Sequence, residues 1–471
     1  MNDRFKDYDD ELRDLVQDFE RTVMKGQMQF FDVDELEMII DYYLEMNDLD
    51  PLEKAVSFAE RLYPDSTEVK MRRAHVAIAR QQFKSALRQL LDLRAKEPNN
   101  TDLAYSLGIV YSAMDRPDEA VDQFLAASSD GWQLGRIYGN IAEEYVKKND
   151  LNTAIKYYEA ALRNEDSDTA SLYNYVDTCE QLNRVDLAQP ELETYVNRHP
   201  YSREGWFCLG LIYLDLSLVE KAIDAFEYAV AIDKYSAETY IELAYAYELL
   251  GDVGRAATTL LQWAEVADNR ADAFRSVGCL YLRCGNYEVA NIYLGKALVE
   301  QPHDAVTLAC MAECYLMLGD TSMARAYLKK AEAIDPDNVN VLSAGAKIFD
   351  AMDNFRKASD YYEGLIISEM CTEQHCREYT DFLFRNKVFD ILLQFAEESL
   401  ETFPHDPFYS TYIAAAAFYT NRYNKARRAL PDVSPSALAA LCPEIMAHPL
   451  LGPLVPCVEP FNNKPAKTNN P

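Results

Sequence analysis

The sequence predicts an all-α protein that is built from repeated helix pairs. Ala, Leu, Glu, Asp and Tyr are abundant among the 471 residues and only 16 are Gly, a composition that favours helices over sheets. Apolar residues recur at i, i+3, i+4 and i+7 along most of the chain, which is the spacing of one helix face. The pattern also recurs every 34 residues without an insertion, and this constant period predicts a repeat architecture.

Twelve successive repeats keep the same register. Their first residues are Val33, Thr67, Thr101, Gly135, Thr169, Arg203, Ala237, Ala271, Ala305, Val339, Glu373 and Pro407. Position 8 of the repeat is mostly Ala or Gly, position 20 is Ala in ten of the twelve repeats, and position 11 is aromatic in eight. We expect the small residues to let the two helices of a repeat approach closely, with Gly210 facing Ala222. We expect the aromatic residues to fill the space between neighbouring repeats, and Trp206 to lie in the core.

Short breaks separate the helices. Within a repeat the break reads, for example, "LLGD" at 249–252, where Gly supplies the left-handed conformation that ends a helix. Proline marks the break between repeats, because it cannot continue a helix. It occurs at Pro64, Pro98, Pro200, Pro302, Pro336 and Pro404. Each repeat is therefore predicted to hold a first helix and a second helix.

The residue pattern resembles that of the tetratricopeptide repeat family. The residues that carry the resemblance are Trp206, Leu209, Gly210, Tyr213, Ala222, Phe226 and Ala229. The resemblance covers residues 33–430 and implies a right-handed α-solenoid of about twelve antiparallel helix pairs, with first helices lining a concave face and second helices a convex face. The repeats that start at Val33, Thr67 and Glu373 depart most from the pattern, and we expect looser packing there.

The two ends differ from the repeats. Residues 1–32 alternate charged and apolar residues at helical spacing and are predicted to form an N-terminal capping helix. Residues 431–460 are predicted to form a C-terminal cap with a short helix around Ser436 to Ala447. Residues 461–471 contain Pro, Asn and Lys without periodicity and are predicted to be disordered.

The chain is strongly acidic, with 46 Lys and Arg against 77 Asp and Glu and a formal net charge of −31. Such a surface repels phosphate backbones, so we expect no nucleic-acid partner. The N-terminus lacks the apolar run of a secretory signal, and no stretch approaches the roughly 18 apolar residues of a membrane span. We therefore expect a cytoplasmic protein without a membrane partner, whose ten cysteines are reduced and buried.

Motifs that carry catalysis or bind cofactors are missing from the sequence. It contains neither a GxxxxGK[ST] loop nor an HExxH arrangement. Zinc sites usually take ligands from two closely spaced pairs, and the cysteine groupings here lack that spacing. These groupings are Cys310 with Cys314, Cys279 with Cys284, and Cys371 with His375 and Cys376. We expect no catalytic, cofactor or metal site, and hence no enzyme activity.

A partner is expected on the concave face, which the resemblance assigns to positions 2, 5, 6, 9, 12 and 13 of the first helices. Exposed aromatic residues with polar neighbours are typical of interaction surfaces, and an Asn amide can pair with the backbone of an extended peptide. The candidate partner-binding residues are Tyr105, Asn140, Glu143, Tyr173, Asn174, Asp177, Phe207, Leu211, Ile241 and Tyr245. Ile109, Glu242, Arg275 and Cys279 occupy the same positions. Two alternatives stay open: some of these side chains pack against the adjoining helix, and the two amides are simply solvated.

The most consistent function is a non-catalytic scaffold or adaptor that binds a protein or extended peptide along the concave groove, and the acidic neighbours there favour a basic one. The alternative is a regulatory or assembly subunit of an enzyme or multiprotein complex that docks through the solenoid ends, and self-association is also possible. The basic residues Arg422, Lys425, Arg427 and Arg428 form either a solvated helix end or a site for an acidic surface.

Overall fold

The computed structural model describes residues 2–25, 30–164 and 166–456, and for residues 2–11, 24 and 25 it describes the backbone alone. Every regular element in these ranges is a helix, which confirms the all-α prediction. The chain forms two compact halves, Met1–Leu250 and Gly251–Pro471.

The N-terminal half contains fourteen helices in its described residues. They are α1 (Asn2–Lys25), α2 (Val33–Glu45), α3 (Leu49–Leu62), α4 (Thr67–Ala79), α5 (Phe83–Arg94), α6 (Thr101–Ala113), α7 (Pro117–Ala127), α8 (Leu134–Lys147), α9 (Leu151–Leu162), α10 (Thr169–Gln181), α11 (Val185–Arg198), α12 (Arg203–Asp215), α13 (Val219–Ile232) and α14 (Ala237–Leu249).

The C-terminal half continues the alternation. Its helices are α15 (Val253–Val266), α16 (Arg270–Arg283), α17 (Tyr287–Glu300), α18 (Ala305–Met317), α19 (Thr321–Glu332), α20 (Val339–Ala351), α21 (Phe355–Ile367), α22 (Glu373–Arg385), α23 (Phe389–Thr402), α24 (Pro407–Tyr419), α25 (Tyr423–Ala429), α26 (Pro435–Leu441) and α27 (Pro443–Ala447). From α2 to α25, the even-numbered helices are first helices and the odd-numbered ones are second helices. Each first helix begins within one residue of a predicted repeat start. The division into caps, repeats and tail, and the right-handed sense of the solenoid, stay predictions.

The helix ends follow local chemistry. Many first helices begin after a Ser, Asn or Asp whose side chain accepts a backbone hydrogen bond, as Ser202 does from Gly205 N at 3.0 Å. The break within a repeat contains a residue in the left-handed region. It is Gly at 251, 285 and 319, as the sequence predicts, but residues with side chains, such as Asn149, take that conformation in other repeats.

The glycines at position 8 admit a large side chain from the second helix. A Cβ on Gly210 would lie inside van der Waals contact of the Phe226 ring, and Gly108 faces Phe124 in the same way. Ala222 is fully buried, and its predicted pairing with Gly210 stays a prediction. Close approach at position 8 makes room for the ring at position 24.

The aromatic residues at position 11 also fill space within their own repeat. Tyr145 stacks on Tyr157 with ring centroids 5.5 Å apart, and Tyr315 stacks on Tyr327 at 5.3 Å. In both cases the partner lies on the second helix of the same repeat. Tyr315 also packs against a cluster that includes Ala290 and Leu294 of the preceding repeat, and Tyr213 donates its hydroxyl to Glu193 Oε1 of the preceding repeat at 2.8 Å.

Trp206 is only partly buried, against the expectation of a core residue. Its ring stacks on Tyr228 at 4.6 Å, and its Nε1 donates to the carbonyl oxygen of Pro200 at 3.0 Å. Tyr228 is itself 57% exposed, so the pair lies at the surface between α12 and α13.

Helices at both ends cover apolar residues of the adjoining repeats. Phe19 of α1 packs edge-to-face against Phe31 and Phe58, at 5.9 and 5.6 Å between centroids. At the other end the expected single helix is two, α26 and α27, since Pro443 interrupts the run. Leu438 and Ile445 of these helices are fully buried in the core. The predicted disordered tail, 461–471, lies outside the described residues.

Candidate partner-binding surface on the first helices

An apolar cleft of about 430 Å³ opens on the first helices of the N-terminal half. Nearly all of its helical lining residues occupy the positions that the resemblance assigns to the partner face. They are Leu44 of α2, Met71, Arg72, His75, Ile78 and Ala79 of α4, and Asp102, Tyr105, Ser106 and Ile109 of α6, joined by Trp132 and Gln133. Tyr105 and Ile109 were predicted to lie on the partner face, and the structure brings them into this cleft.

Trp132 lies at the cleft and is 60% exposed. It sits in the loop between α7 and α8, where Gly131 has a φ of +79° and the backbone N–H of Trp132 donates to Asp130 Oδ1 at 3.0 Å. The other oxygen of Asp130 accepts a 2.7 Å hydrogen bond from Thr101 at the start of α6. The loop is thus tied to α6, which holds an exposed indole beside an apolar cleft.

Two polar groups of the cleft have partners within the protein. His75 Nε2 lies 2.9 Å from Ser106 Oγ, and burial, helped by the nearby Arg72 guanidinium, lowers the pKa of His75 to about 4. The ring is therefore neutral at neutral pH. Arg72 forms a 2.7 Å ion pair with Asp41 of α2. Arg72 Nε is buried without a hydrogen-bond partner. The rest of the lining is mostly apolar and suits an apolar or aromatic side chain.

Both predicted amides bind side chains of the preceding first helix. Asn140 donates from Nδ2 to the hydroxyl oxygen of Tyr105 at 3.1 Å. Asn174 donates from Nδ2 to Glu143 Oε1, also at 3.1 Å. Four predicted residues thus form two pairs across α6, α8 and α10. Each contact uses one of the hydrogen bonds that an amide can make, so neither amide is simply solvated.

Phe207 is a packing residue and not an exposed contact. It is 6% exposed and lies between Tyr173, at 6.3 Å, and Phe226, at 5.8 Å between ring centroids. The ring is enclosed by neighbouring aromatic residues, and its role as a contact residue stays a prediction. Tyr173 and Leu211 are partly buried.

Two predicted residues farther along the N-terminal half are well exposed. Ile241 is 42% exposed and Tyr245 is 47% exposed, both on α14. Asp177 of α10 is also exposed and accepts a 2.8 Å hydrogen bond from Gln181 one turn later. The partner role of these residues stays a prediction.

Acidic side chains on the first helices repel one another. Burial and the neighbouring Asp168 and Glu144 raise the pKa of Glu143 against the opposing Lys147. Burial and Glu238 raise the pKa of Glu242. Burial also raises the pKa of Glu180, with Asp215 and Asp177 adding to the effect, and that of Glu37 on α2. A raised carboxyl pKa means that burial and neighbouring acids disfavour the charged carboxylate. A cation from a partner would stabilise that charge.

The basic residues near the C-terminus are partly neutralised. Arg422 pairs with Asp390 at 2.6 Å, and Lys425 pairs with Glu397 at 2.8 Å. Arg427 and Arg428 are exposed. Both pairings join α25 or its cap to α23, which gives two of the four residues a structural role.

The cysteines are less buried than expected. Of the nine in the described residues, all free, Cys179, Cys208, Cys314 and Cys442 are buried. The remaining five are exposed or partly exposed. Among the described residues no group of three or more His, Cys, Asp or Glu is arranged to hold a metal ion. His375 instead accepts a hydrogen bond from the backbone N–H of Thr372 at the start of α22, at 3.2 Å.

The described helices include none that combines the length and apolar content of a membrane span.

Sequence comparison finds that three tetratricopeptide repeat models match four segments of the chain. One model matches residues 281–348, a second matches 71–132 and 180–237, and a third matches 135–168. The match over residues 71–132 includes the residues from Met71 to Trp132 that line the cleft. The matched segments lie within the repeats that the 34-residue period predicts.

Curated relatives share a modest identity with the chain. It is 23% identical over 249 residues to tetratricopeptide repeat protein 37 of Xenopus laevis, which is 51% of this chain and 16% of that protein. It is 23% identical over 270 residues to Superkiller complex protein 3 of Homo sapiens, 55% of this chain and 17% of that protein. It is 26% identical over 136 residues to the BBSome complex member BBS4 of Bos taurus, 28% of this chain and 26% of that protein. The chain thus spans a minor part of the length of these relatives.

Solved structures resemble parts of the fold. A tetratricopeptide repeat protein from Parabacteroides merdae aligns with a TM-score of 0.40 and 19% identity, over 52% of this chain and 96% of that one. A chain in the crystal structure of the APC/C hetero-tetramer Cut9–Hcn1 aligns with a TM-score of 0.36 and 13% identity, over 87% of this chain and 94% of that one.

Proposed function

We propose that this chain, which is a tetratricopeptide repeat protein, is a non-catalytic scaffold that binds a segment of a partner protein on the first helices of its N-terminal half. Proteins of this kind generally mediate protein–protein interactions and complex assembly. The proposal adds where the partner binds and which chemistry it offers.

The cleft beside Trp132 is the observation that carries the proposal. Its volume of about 430 Å³ lies within the range of ligand pockets, roughly 300–1,000 Å³. Exposed Trp residues at the rim of an apolar pocket are frequent hot spots, since they bury a large area on binding at little entropic cost. An apolar or aromatic side chain of the partner would occupy the cleft, with the indole packed against it.

The acidic first helices favour a basic segment next to that anchor. Glu143 and Glu242 have carboxyl groups whose charge is disfavoured by burial and by other acids. A Lys or Arg side chain of the partner would supply the missing counter-charge and would speed association at low salt. The chain as a whole has a net charge of −31, which adds long-range attraction for such a partner.

The named relatives support a role in assembly. Two of them are named as members of multiprotein complexes, the Superkiller complex and the BBSome complex. A cytoplasmic location and self-association remain predictions.

Site-specific photo-crosslinking tests the proposal. A photoreactive phenylalanine analogue replaces Ile109, which lines the cleft, or Tyr201, which is 86% exposed and not among the lining residues. The partner should crosslink at position 109 and not at 201. Synthetic peptides from the crosslinked segment are then titrated against the parent chain, Trp132→Ala and Tyr201→Ala.

Loss of the indole should weaken peptide binding by about 10- to 100-fold, and Tyr201→Ala should bind like the parent. Equal affinity for all three proteins, with crosslinks only outside the cleft, would move the binding surface elsewhere, including to the solenoid ends.

A further inference from the structure

Two cysteine side chains touch on consecutive first helices of the C-terminal half. Cys279 is on α16 and Cys310 is on α18, and their Sγ atoms are 3.6 Å apart. Both residues are partly exposed and neither is in a disulfide. They occupy positions 9 and 6 of adjacent repeats, so both lie on the first-helix face. The two thiols therefore meet across the boundary between two repeats.

The two thiols have different surroundings, which shift their pKa values in opposite directions. Arg275 and Arg283 lie one turn before and one turn after Cys279 on α16. The hydrogen bond from Cys310, together with these two cations, lowers the pKa of Cys279 against the opposing effects of burial and Glu313. The same contact and burial raise the pKa of Cys310. Cys279 is thus the residue that ionises first, and Cys310 is held as the protonated donor.

Arg275 is itself fixed in place. It pairs with Asp272 at 2.6 Å and with Asp304 at 3.0 Å. Asp304 caps the N-terminus of α18, the helix that carries Cys310. The ion pair thus spans the same two helices as the thiols, and it keeps the cation and both sulfur atoms in one arrangement.

We propose that Cys279 and Cys310 form an oxidation site for small hydroperoxides, in which Cys279 is the attacking thiolate and Cys310 the resolving thiol. A thiolate within reach of a second thiol is the arrangement that such chemistry requires. The product would be a disulfide that links α16 to α18.

The reaction balances in two steps. The Cys279 thiolate attacks one peroxide oxygen, an S–O bond forms, the O–O bond breaks, and the released alkoxide or hydroxide takes a proton from water. Cys279 has then been oxidised by two electrons to the sulfenic acid, and the peroxide has been reduced. Cys310 next attacks the Cys279 sulfur, the S–S bond forms, and the leaving hydroxide takes the Cys310 proton and departs as water.

A second pair of cysteines supplies a matched comparison. Cys371 and Cys376 lie 3.7 Å apart at Sγ, almost the same separation. Burial, the Cys371 thiol and Glu373 raise the pKa of Cys376 to about 12. This pair therefore has the geometry of the first without the cations that favour a thiolate. Cys284 is exposed, so its oxidation rate shows how fast a thiol reacts when only solvent exposure favours the reaction.

Peptide mapping of the full-length reduced chain tests the proposal. The chain is treated with increasing hydrogen peroxide, free thiols are alkylated, and tryptic peptides are measured by mass spectrometry. The expected product joins peptide 276–283 to peptide 297–325, and tandem fragmentation assigns the bond to Cys310 instead of Cys314. It should form at least about fivefold faster than the internal disulfide of peptide 358–377.

Single variants separate the two roles. In Cys310→Ser, Cys279 should accumulate as a sulfenic acid that dimedone traps. In Cys279→Ser, Cys310 should stay reduced at the same peroxide dose. Arg283→Gln should slow the oxidation of Cys279 several-fold. Faster oxidation of the Cys371–Cys376 pair or of Cys284, or failure of dimedone to label Cys279 in the folded Cys310→Ser variant, would overturn the proposal.

Discussion

Asn174 of α10 donates a hydrogen bond to Glu143 of α8, with 3.1 Å between Nδ2 and Oε1. The contact joins two consecutive first helices, and it supports a carboxylate whose pKa is raised by burial and by neighbouring acids. The same amide is a candidate for contact with a partner. This surface therefore holds neighbouring repeats together, and it is also where we propose that a partner binds, so stability and binding can be tested on the same side chains.

Removal of the Asn174 amide should cost stability. Asn174→Ala should lower the free energy of unfolding by about 0.5–1.5 kcal/mol, and it should raise the pKa of Glu143 further because a bond to its charged form is lost. Urea unfolding followed by circular dichroism gives the first quantity, and NMR titration of labelled Glu gives the second. The control Asp177→Ala, on the exposed side of the same helix, should change stability by at most about 0.5 kcal/mol. Equal stability and an unchanged Glu143 pKa in Asn174→Ala would show that the contact has no energetic role.

Binding of a basic segment should weaken in acid. Glu143, Glu180 and Glu242 have raised pKa values, so they lose their charge at a higher pH than ordinary carboxyl groups as the solution is acidified. The attraction for Lys or Arg falls with that charge. The same groups have the opposite effect on folding, because a carboxyl whose pKa is raised in the folded state destabilises the fold above that pKa and not below it.

Peptide affinity should therefore fall from neutral to mildly acid pH. Over the same range, protonation of these three groups should relieve the destabilisation that their charge causes. Glu242→Gln should flatten part of the affinity change if the bound segment reaches α14. An affinity that rises on acidification would contradict a basic partner.

His75 should make the N-terminal half sensitive to acid. Its pKa is lowered to about 4 by burial, from an ordinary value of 6.5. The unfolded chain therefore binds a proton that the folded chain rejects between these two values, and stability falls as the pH drops through this window. The loss should approach roughly 3 kcal/mol at its largest. His75→Gln should show a smaller fall between pH 6.5 and 4 in parallel urea titrations, with the parent chain as reference. An equal fall in stability for the parent chain and His75→Gln would mean that protonation of His75 does not destabilise the fold.

Glycine at position 8 should be intolerant of a side chain. Gly210→Ala places a methyl group against the Phe226 ring and should destabilise the protein by about 1–3 kcal/mol through overpacking. Gly295 lies in the middle of α17 and a Cβ there meets nothing within 4 Å, so Gly295→Ala should be neutral or stabilise by up to about 1 kcal/mol. Thermal unfolding compares the two. A Phe226→Leu second substitution should recover part of the Gly210→Ala loss, and its failure to do so would exclude the ring as the cause.

The fold was largely predictable because a 34-residue period constrains every repeat at once. One weak pattern, such as that of the repeat starting at Thr67, gains its register from its neighbours. Side-chain partners were less predictable. The sequence did not indicate that the Phe226 ring lies against Gly210, because the crossing of two helices and not their residue types decides which positions meet.

The lining of the cleft was predictable by position and not by residue. The predicted positions are the ones that line the cleft, but Met71 and His75 were passed over because their repeat departs from the family pattern. Trp132 lies in a break between helices, where periodicity gives no information. An apolar aromatic residue inside a polar break was the available signal. The burial of Phe207 was not predictable from its position, because its ring packs against Tyr173 of the preceding repeat and Phe226 of its own.

The exposure of Trp132 gives the molecule an optical reporter. The chain has three Trp residues. Trp263 is 7% exposed, Trp206 is covered on one face by Tyr228, and Trp132 is 60% exposed. Iodide quenching and fluorescence at the long-wavelength edge of the emission band therefore report mainly on the indole at the cleft. A segment that enters the cleft would shield this one fluorophore and shift its emission to shorter wavelength, so occupancy of the surface can be followed in unlabelled protein and in real time.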